Sequence, residues 1–274
     1  MKIKKILLNI ANFNKSFIKK IPDNKKCCVT IFHDCEREYA NKKYGKFEGP
    51  GLDFILKAEK KYGIKATYNI VGKICESDTE TVKRIKKEGH DIASHMYLHE
   101  TPKNVSYETL KKSVIESKKS FAKLGINITG LRSPESGWDN RLLKIMVDNG
   151  FKWNAESDNS LYPYFIKKGL LRIPIIYDDW DYIAKNIPPK QFLNELKEKV
   201  EFGKKNRCYI ALGFHPWIEG MKKERLKVFE DFLRTIKRDD DLIINNFKKI
   251  YLFSVGQYSF FGRRHNSQVI NTLF

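Results

Sequence analysis

Chemistry-bearing side chains gather where apolar runs of this chain stop. His33-Asp34-Cys35-Glu36 follows the run Cys27–Phe32, and Ser94-His95-Met96-Tyr97-Leu98-His99 ends another. Four more runs end in Arg132-Ser133-Pro134, Glu156-Ser157-Asp158, Asp178-Asp179-Trp180 and Phe214-His215-Pro216-Trp217. His95 and His99 are spaced i, i+4, which on one helical turn aims both imidazoles at a single point. Two neutral imidazoles with one carboxylate form a common zinc set that leaves a position open for water or substrate. A bare pair of that spacing is more often two ordinary histidines, so a third ligand decides. Asp34 and Glu36 supply carboxylates: on an extended strand residues i and i+2 point the same way, while His33 faces the other side. One carboxylate can ligate metal while the other accepts a proton from water. The plainer reading makes Asp34 a loop cap and Glu36-Arg37-Glu38 a solvated stretch.

His215 ends the apolar strand Tyr209–Phe214. A lone histidine there is more often a hydrogen-bonded core residue, but opposite a metal site it suits a general acid for a leaving amine. Arg132 either orients a carboxylate base through a two-point contact or is structural. His90 reads as structural at a strand start, and His265 lies in a basic tail.

The elements that must position these residues alternate. Strands are expected at Cys27–Phe32, Lys65–Val71, His90–Ser94, Ile128–Arg132, Phe151–Ala155, Leu170–Ile176 and Cys208–Phe214. Helical patterns fill the longer gaps, one of them opening at Ser77-Asp78-Thr79-Glu80 and closing at Gly89. Seven strands separated by helices imply an α/β fold with a parallel sheet, and such a sheet often closes into a barrel with its chemistry at the carboxyl ends of the strands. With no repeat or long linker, the expected organisation is a basic amphipathic arm over residues 1–24, one domain over 25–256 and a tail over 257–274.

Composition sets the outer limits. The 274 residues carry 52 Lys+Arg against 33 Asp+Glu, a net charge of +19, and 41% are hydrophobic, too apolar for a disordered chain. No apolar run approaches the roughly 18–20 residues of a membrane-spanning helix. The lysines recur through every segment, which favours solvated helix faces over a nucleic-acid site, and no RNP-type strand, zinc-finger spacing or helix-turn-helix pattern is present. Five cysteines without a C-x-x-C pair point to a reducing compartment. The amino terminus lacks a cleavage site and reads as an arm that could rest on a membrane surface. A cytoplasmic protein is expected, with peripheral contact to the inner membrane face as an option.

Together these segments resemble the polysaccharide deacetylase family, the carbohydrate esterase family 4-like proteins built on the NodB homology domain. Val29–Glu36 is similar to the first motif of that family, Gly89–His99 to its metal-binding motif, Arg132–Gly137 to its Arg-x-Pro motif and Leu212–Trp217 to its closing histidine motif. The resemblance implies a deformed (β/α)7 barrel and a divalent metal, usually zinc. It also implies hydrolysis of the acetamide of an N-acetylated glycan or glycolipid, with an anionic substrate one option given the charge. A carboxylate of the first motif would take the proton of the attacking water, the metal would stabilise the oxyanion and His215 would protonate the departing amine. The first motif lacks the adjacent aspartate pair of many members, so these roles fall on Asp34 and Glu36 or on His33 and Asp34. Asp34 as base with Glu36, His95 and His99 as ligands is preferred, with Asp34 as a ligand the close alternative. Pro134, Asp158, Asp179, Trp180 and Trp217 are assigned to substrate binding. The third motif carries one extra residue before Gly137, and the stretch Ile173–Trp180 resembles a subgroup tied to surface-polysaccharide assembly. Two other readings are a metal-independent C–N amidohydrolase of the same superfamily and a non-catalytic relative that binds glycan or polyanion.

Overall fold

The first strand, β1 (Cys27–Cys35), is buried along its whole length and has neighbours on both edges. The computed structural model describes residues 16–36, 39 and 49–257. Along one edge β9 (Tyr209–Phe214) runs parallel, in register from Cys28↔Tyr209 to His33↔Phe214. The other edge is shared by β10 (Leu242–Ile244), opposite Cys27–Val29, and β2 (Thr67–Ile70), opposite Phe32–Cys35. Beyond β2 come β3 (Asp91–Ser94), β4 (Gly130–Leu131), β5 (Trp153–Ser157) and β7 (Leu170–Ile175), all parallel, with β6 (Tyr164–Lys167) antiparallel on β7. Immediately after β7 the chain leaves β5, and β8 (Tyr177–Asp178) pairs with β9. This crossing joins the two ends of the sheet into a deformed barrel. Pro174, which has no N–H to donate, lies on β7 just before the crossing.

All seven expected strands are present, though Ile128–Arg132 shortens to two residues. The strands β6, β8 and β10 were not foreseen, and all are too short to leave a periodic signal. The expected helix start at Ser77–Glu80 is real: the Asp78 side chain accepts from Thr81 N, and Gly89 closes the segment at φ 84°.

Burial on both faces explains why β1 reads as a continuous apolar run. Val29, Ile31 and Cys35 join the layer between sheet and helices, whereas Cys28 and Phe32 join the barrel interior. Phe247, at the start of the helix over residues 247–257, packs 5.4 Å from Phe32 and 5.1 Å from Trp153 and helps fill the interior below the site. Gly130 makes this packing fit, since a β-carbon there would lie 1.9 Å from the Trp153 ring. Ile18 and Ile21, expected in the arm, are buried in the interior cluster, and Phe17 bridges to Tyr164. The packed chain therefore begins before residue 25. The rest of the arm (1–15) and the tail from 258 lie outside the described residues. Among the described residues no helix is long and apolar enough to cross a membrane. All five cysteines are buried and none forms a disulfide.

Candidate active site

Strand alternation delivers Asp34 to the carboxyl-end mouth of the barrel, and Glu36 follows just past the strand. His33 points the other way: its Nε2 donates to Glu59 at 2.9 Å among Tyr68, Phe214 and Phe229. The alternative pairing of His33 with Asp34 is thus geometrically split across the sheet.

Glu36 is the centre of the cluster. Its Oε1 lies 3.4 Å from His95 Nε2, 3.1 Å from His99 Nε2 and 3.5 Å from His215 Nε2. The atoms of Glu36, His95 and His99 that could bind an ion lie within 4.8 Å of one another, as do those of Asp34, Glu36 and His215. Burial works against ionised Glu36, but the three imidazoles outweigh it and hold the carboxyl well below its usual range.

His95 and His99 reach this point by a different route from the expected helical turn. They sit on an irregular loop after β3, with Met96 at φ 63° and His99 at φ 65°, a left-handed backbone that non-glycine residues adopt at a cost. Ser94 Oγ accepts from Met96 N at 3.2 Å and Ser113 Oγ accepts from Tyr97 N at 2.9 Å, which holds the loop. The rings end 5.0 Å apart. His95 Nδ1 contacts the carbonyl oxygen of Arg132 at 2.9 Å, so Nδ1 must be the donor. In the neutral form of this tautomer Nε2 carries its lone pair toward Glu36. A lone pair and an anion this close repel unless a proton or cation lies between them, so the donor set suits a divalent cation.

Asp34 accepts from Asn69 Nδ2 at 2.8 Å on one oxygen and pairs with Arg132 Nε at 2.8 Å on the other. Burial raises its pKa, yet Arg132, with His95 and His215, brings it below the ordinary value. Arg132 does not grip Asp34 alone. Its other nitrogens lie 3.3 Å from Asp178 Oδ2, 3.9 Å from Glu156 Oε2 and 3.0 Å from Ser136 Oγ. The extra residue of the third segment is absorbed in a 3-10 turn, Pro134–Ser136, with Glu135 and Ser136 at φ 56° and 49°. Ser136 Oγ also accepts from Ser157 N, which ties this turn to β5.

His215 donates from Nδ1 to Asp179 Oδ1 at 2.5 Å, and its backbone N–H reaches Asp179 Oδ2 at 2.7 Å. Burial depresses the imidazolium, but Asp179 and then Glu36 outweigh it and raise the His215 pKa well above its ordinary value. A cavity of about 660 Å³ opens over Asp34, Glu36, His99, Arg132 and His215, walled by Trp180 and Trp217 with ring centroids 6.1 Å apart.

Of the residues assigned to substrate binding, Trp180 and Trp217 line this cavity. Asp179 is fully buried behind His215, and Pro134 is buried beneath the rim turn. Asp158 is held by Tyr164 Oη at 2.5 Å and Arg172 Nη1 at 3.3 Å, outside the cavity lining. Sequence reasoning gave no role to Asn69, Ser136 or Glu156, although Glu156 was named at its strand end and Ser136 lies in the third motif. Asn69 was within reach, because parallel register sets it directly beside Asp34.

The polysaccharide deacetylase family profile matches residues 21–153. A peptidoglycan deacetylase of Helicobacter pylori is 28% identical over 160 residues, covering 57% of this chain and 52% of that protein. The chain thus spans about half the length of this curated relative. Among solved structures, one from Mycobacterium smegmatis provisionally assigned as a polysaccharide deacetylase superposes with TM-score 0.80 at 20% identity, covering 87% of this chain and 93% of that one. An allantoinase structure gives TM-score 0.76 at 14% identity, covering 88% and 93%. These two structures speak to the fold alone. The profile match runs through the first three motif segments and the curated relative agrees with it, so over residues 21–153 the chain is similar to the polysaccharide deacetylase family.

Proposed function

We propose that this protein is a metal-dependent hydrolase that removes the N-acetyl group from a sugar of a polysaccharide or glycolipid. The observation that carries the reading is the convergence of three imidazole nitrogens on one carboxylate oxygen beside a second carboxylate. Glu36, His95 and His99 would hold the cation, with zinc the best match to two imidazoles and a carboxylate. When bound, such an ion lowers the pKa of water and polarises an acetyl carbonyl.

The chain's own groups supply the proton movements. Asp34, kept ionised by Arg132, accepts a proton from the attacking water. Arg132 and Asn69 hold one Asp34 oxygen each and so fix the orientation of the carboxylate. His215, protonated through its contact with Asp179, delivers a proton to the departing amine nitrogen. Trp180, 46% exposed, and Trp217 offer flat apolar walls against which a sugar ring can lie. The carboxylates Asp34, Glu36, Glu135 and Asp178 in the lining favour a neutral glycan at the cavity over an anionic one. Five buried cysteines outside any disulfide support a reducing compartment.

Metal content by mass spectrometry, measured on the zinc-supplied protein and on His95→Ala/His99→Ala, tests the reading beside acetate release from N-acetylglucosamine oligosaccharides. About one zinc per chain, lost with activity in the variant, is expected. Turnover by a metal-free preparation would move the assignment to a metal-independent amidohydrolase. Glycan binding with no acetate released would move it to a non-catalytic relative.

A further inference from the structure

The backbone from His95 to His99 brings two imidazoles to one carboxylate by way of two left-handed residues, Met96 and His99. Such a conformation persists only where its surroundings over-determine it. Here the surroundings are polar, and from His95 to Leu98 every N–H has a partner. His95 N–H donates to the Ile70 carbonyl at 2.9 Å, Met96 N–H to Ser94 Oγ at 3.2 Å and Tyr97 N–H to Ser113 Oγ at 2.9 Å. Gly72 and Lys73 in turn donate their N–H groups to the Met96 and Tyr97 carbonyls at 2.8 and 3.0 Å. The Leu98 N–H goes to Glu100 Oε2 at 2.8 Å. Ser113, buried on the helix Tyr107–Lys123, gives its hydroxyl to that same Glu100 oxygen at 2.7 Å. A hydroxyl carries one hydrogen, so Ser113 accepts from Tyr97 and donates to Glu100. One carboxylate oxygen thus holds two successive N–H groups of the loop, that of Leu98 directly and that of Tyr97 through Ser113. Packing offers no substitute at Leu98, whose side chain is 46% exposed. Glu100 itself is not among the residues lining the cavity.

We propose that Glu100 is a positioning residue for the metal ligands: through Leu98 and Ser113 it holds the loop in the shape that aims His95 and His99 at one cation. This rests on the reading of Glu36, His95 and His99 as the set that holds the ion. The role is geometric, because a single oxygen accepts both bonds and a carboxamide oxygen, with two lone pairs, can replace it. Without that oxygen the Leu98 N–H and the Ser113 hydroxyl lose their acceptor, and the loop relaxes from its left-handed backbone. The binding-competent shape is then only a fraction of the population, and the apparent affinity for a cation falls by that fraction.

Zinc affinity by competition with a chromophoric chelator, measured on the full chain, reads the effect without turnover. Glu100→Ala should bind zinc about 10- to 100-fold more weakly than wild type, and Glu100→Gln should stay within about threefold of wild type. Ser113→Ala, which removes the link to Tyr97, should also weaken binding. The double variant Glu100→Ala/Ser113→Ala should lose less than the product of the two single losses, since both act through one oxygen. Amide hydrogen exchange of the metal-free chain adds an arm that needs no ion: segment 96–99 should exchange faster in Glu100→Ala than in wild type or Glu100→Gln. Zinc bound equally by wild type and Glu100→Ala overturns the proposal and leaves the metal site standing. Glu100→Gln no better than Glu100→Ala overturns it as well. If Glu100→Ala does not fold, Ser113→Ala decides, and wild-type affinity there overturns the proposal. No zinc uptake by the wild type removes the metal reading itself. Faster exchange in Glu100→Ala then still upholds Glu100 as the residue that holds the loop, and unchanged exchange overturns it.

Discussion

Arg132→Met isolates the electrostatic heart of the site. The guanidinium is 3% exposed and lies 2.8 Å from Asp34 and 3.3 Å from Asp178, with Glu156 at 3.9 Å. At an effective dielectric of about 20 the first two contacts represent roughly 6 and 5 kcal/mol of gross attraction, most of which offsets desolvation. Methionine keeps the apolar stem over Phe32, whose ring the guanidinium faces at 5.3 Å. What is lost is the only cation paired with Asp34 among the described ion pairs. Removing one partner of a buried pair costs about 3–5 kcal/mol. The sign with pH distinguishes this from a packing defect. Burial already raises Glu156, and without Arg132 it raises Asp34 too, so both folded-state pKa values exceed their unfolded ones. Their contribution to stability is then greatest below the unfolded values and declines as pH rises through the folded ones. The deficit against wild type should therefore be about 3–5 kcal/mol near pH 7.5 and clearly smaller near pH 5, by urea unfolding with chelator present. A deficit under about 1 kcal/mol, or one equal at both pH values, would refute the argument.

Two further outcomes test the framework around the site. Tyr68→Phe removes the hydroxyl that donates to Glu59 at 2.5 Å on the outer face of β1, and should lower stability by about 1–3 kcal/mol while acetate release per folded molecule stays constant; a parallel fall in both would contradict the separation of the two faces. Gly130→Ala drives a β-carbon into Trp153 and should cost about 3 kcal/mol or more in thermal or urea unfolding, with Trp153→Leu in the same chain recovering part of it. No recovery in the double variant would mean that the ring is not what excludes the side chain.

The sequence alone was enough for the alternation of apolar runs and helices, because strands buried on both faces must be apolar throughout and stop where the chain reaches the mouth. It also separated His33 from Asp34 and Glu36, since a two-residue period admits only one facing for each. It did not reveal how His95 and His99 meet. Their spacing suggested a helical turn, but a left-handed loop held by Ser94 and Ser113 does the work, and those side chains come from a strand end and a distant helix. The partners of Arg132, from β1, β5 and β8, were beyond reach for the same reason: their convergence depends on the crossing that closes the barrel. The burial of Asp179 and Glu219 was hidden too, because a carboxylate in a surface-like string of polar letters carries no mark of its depth. Local pattern fixes which side of an element a residue occupies. Only the closed sheet brings those sides together and excludes water from what lies between them.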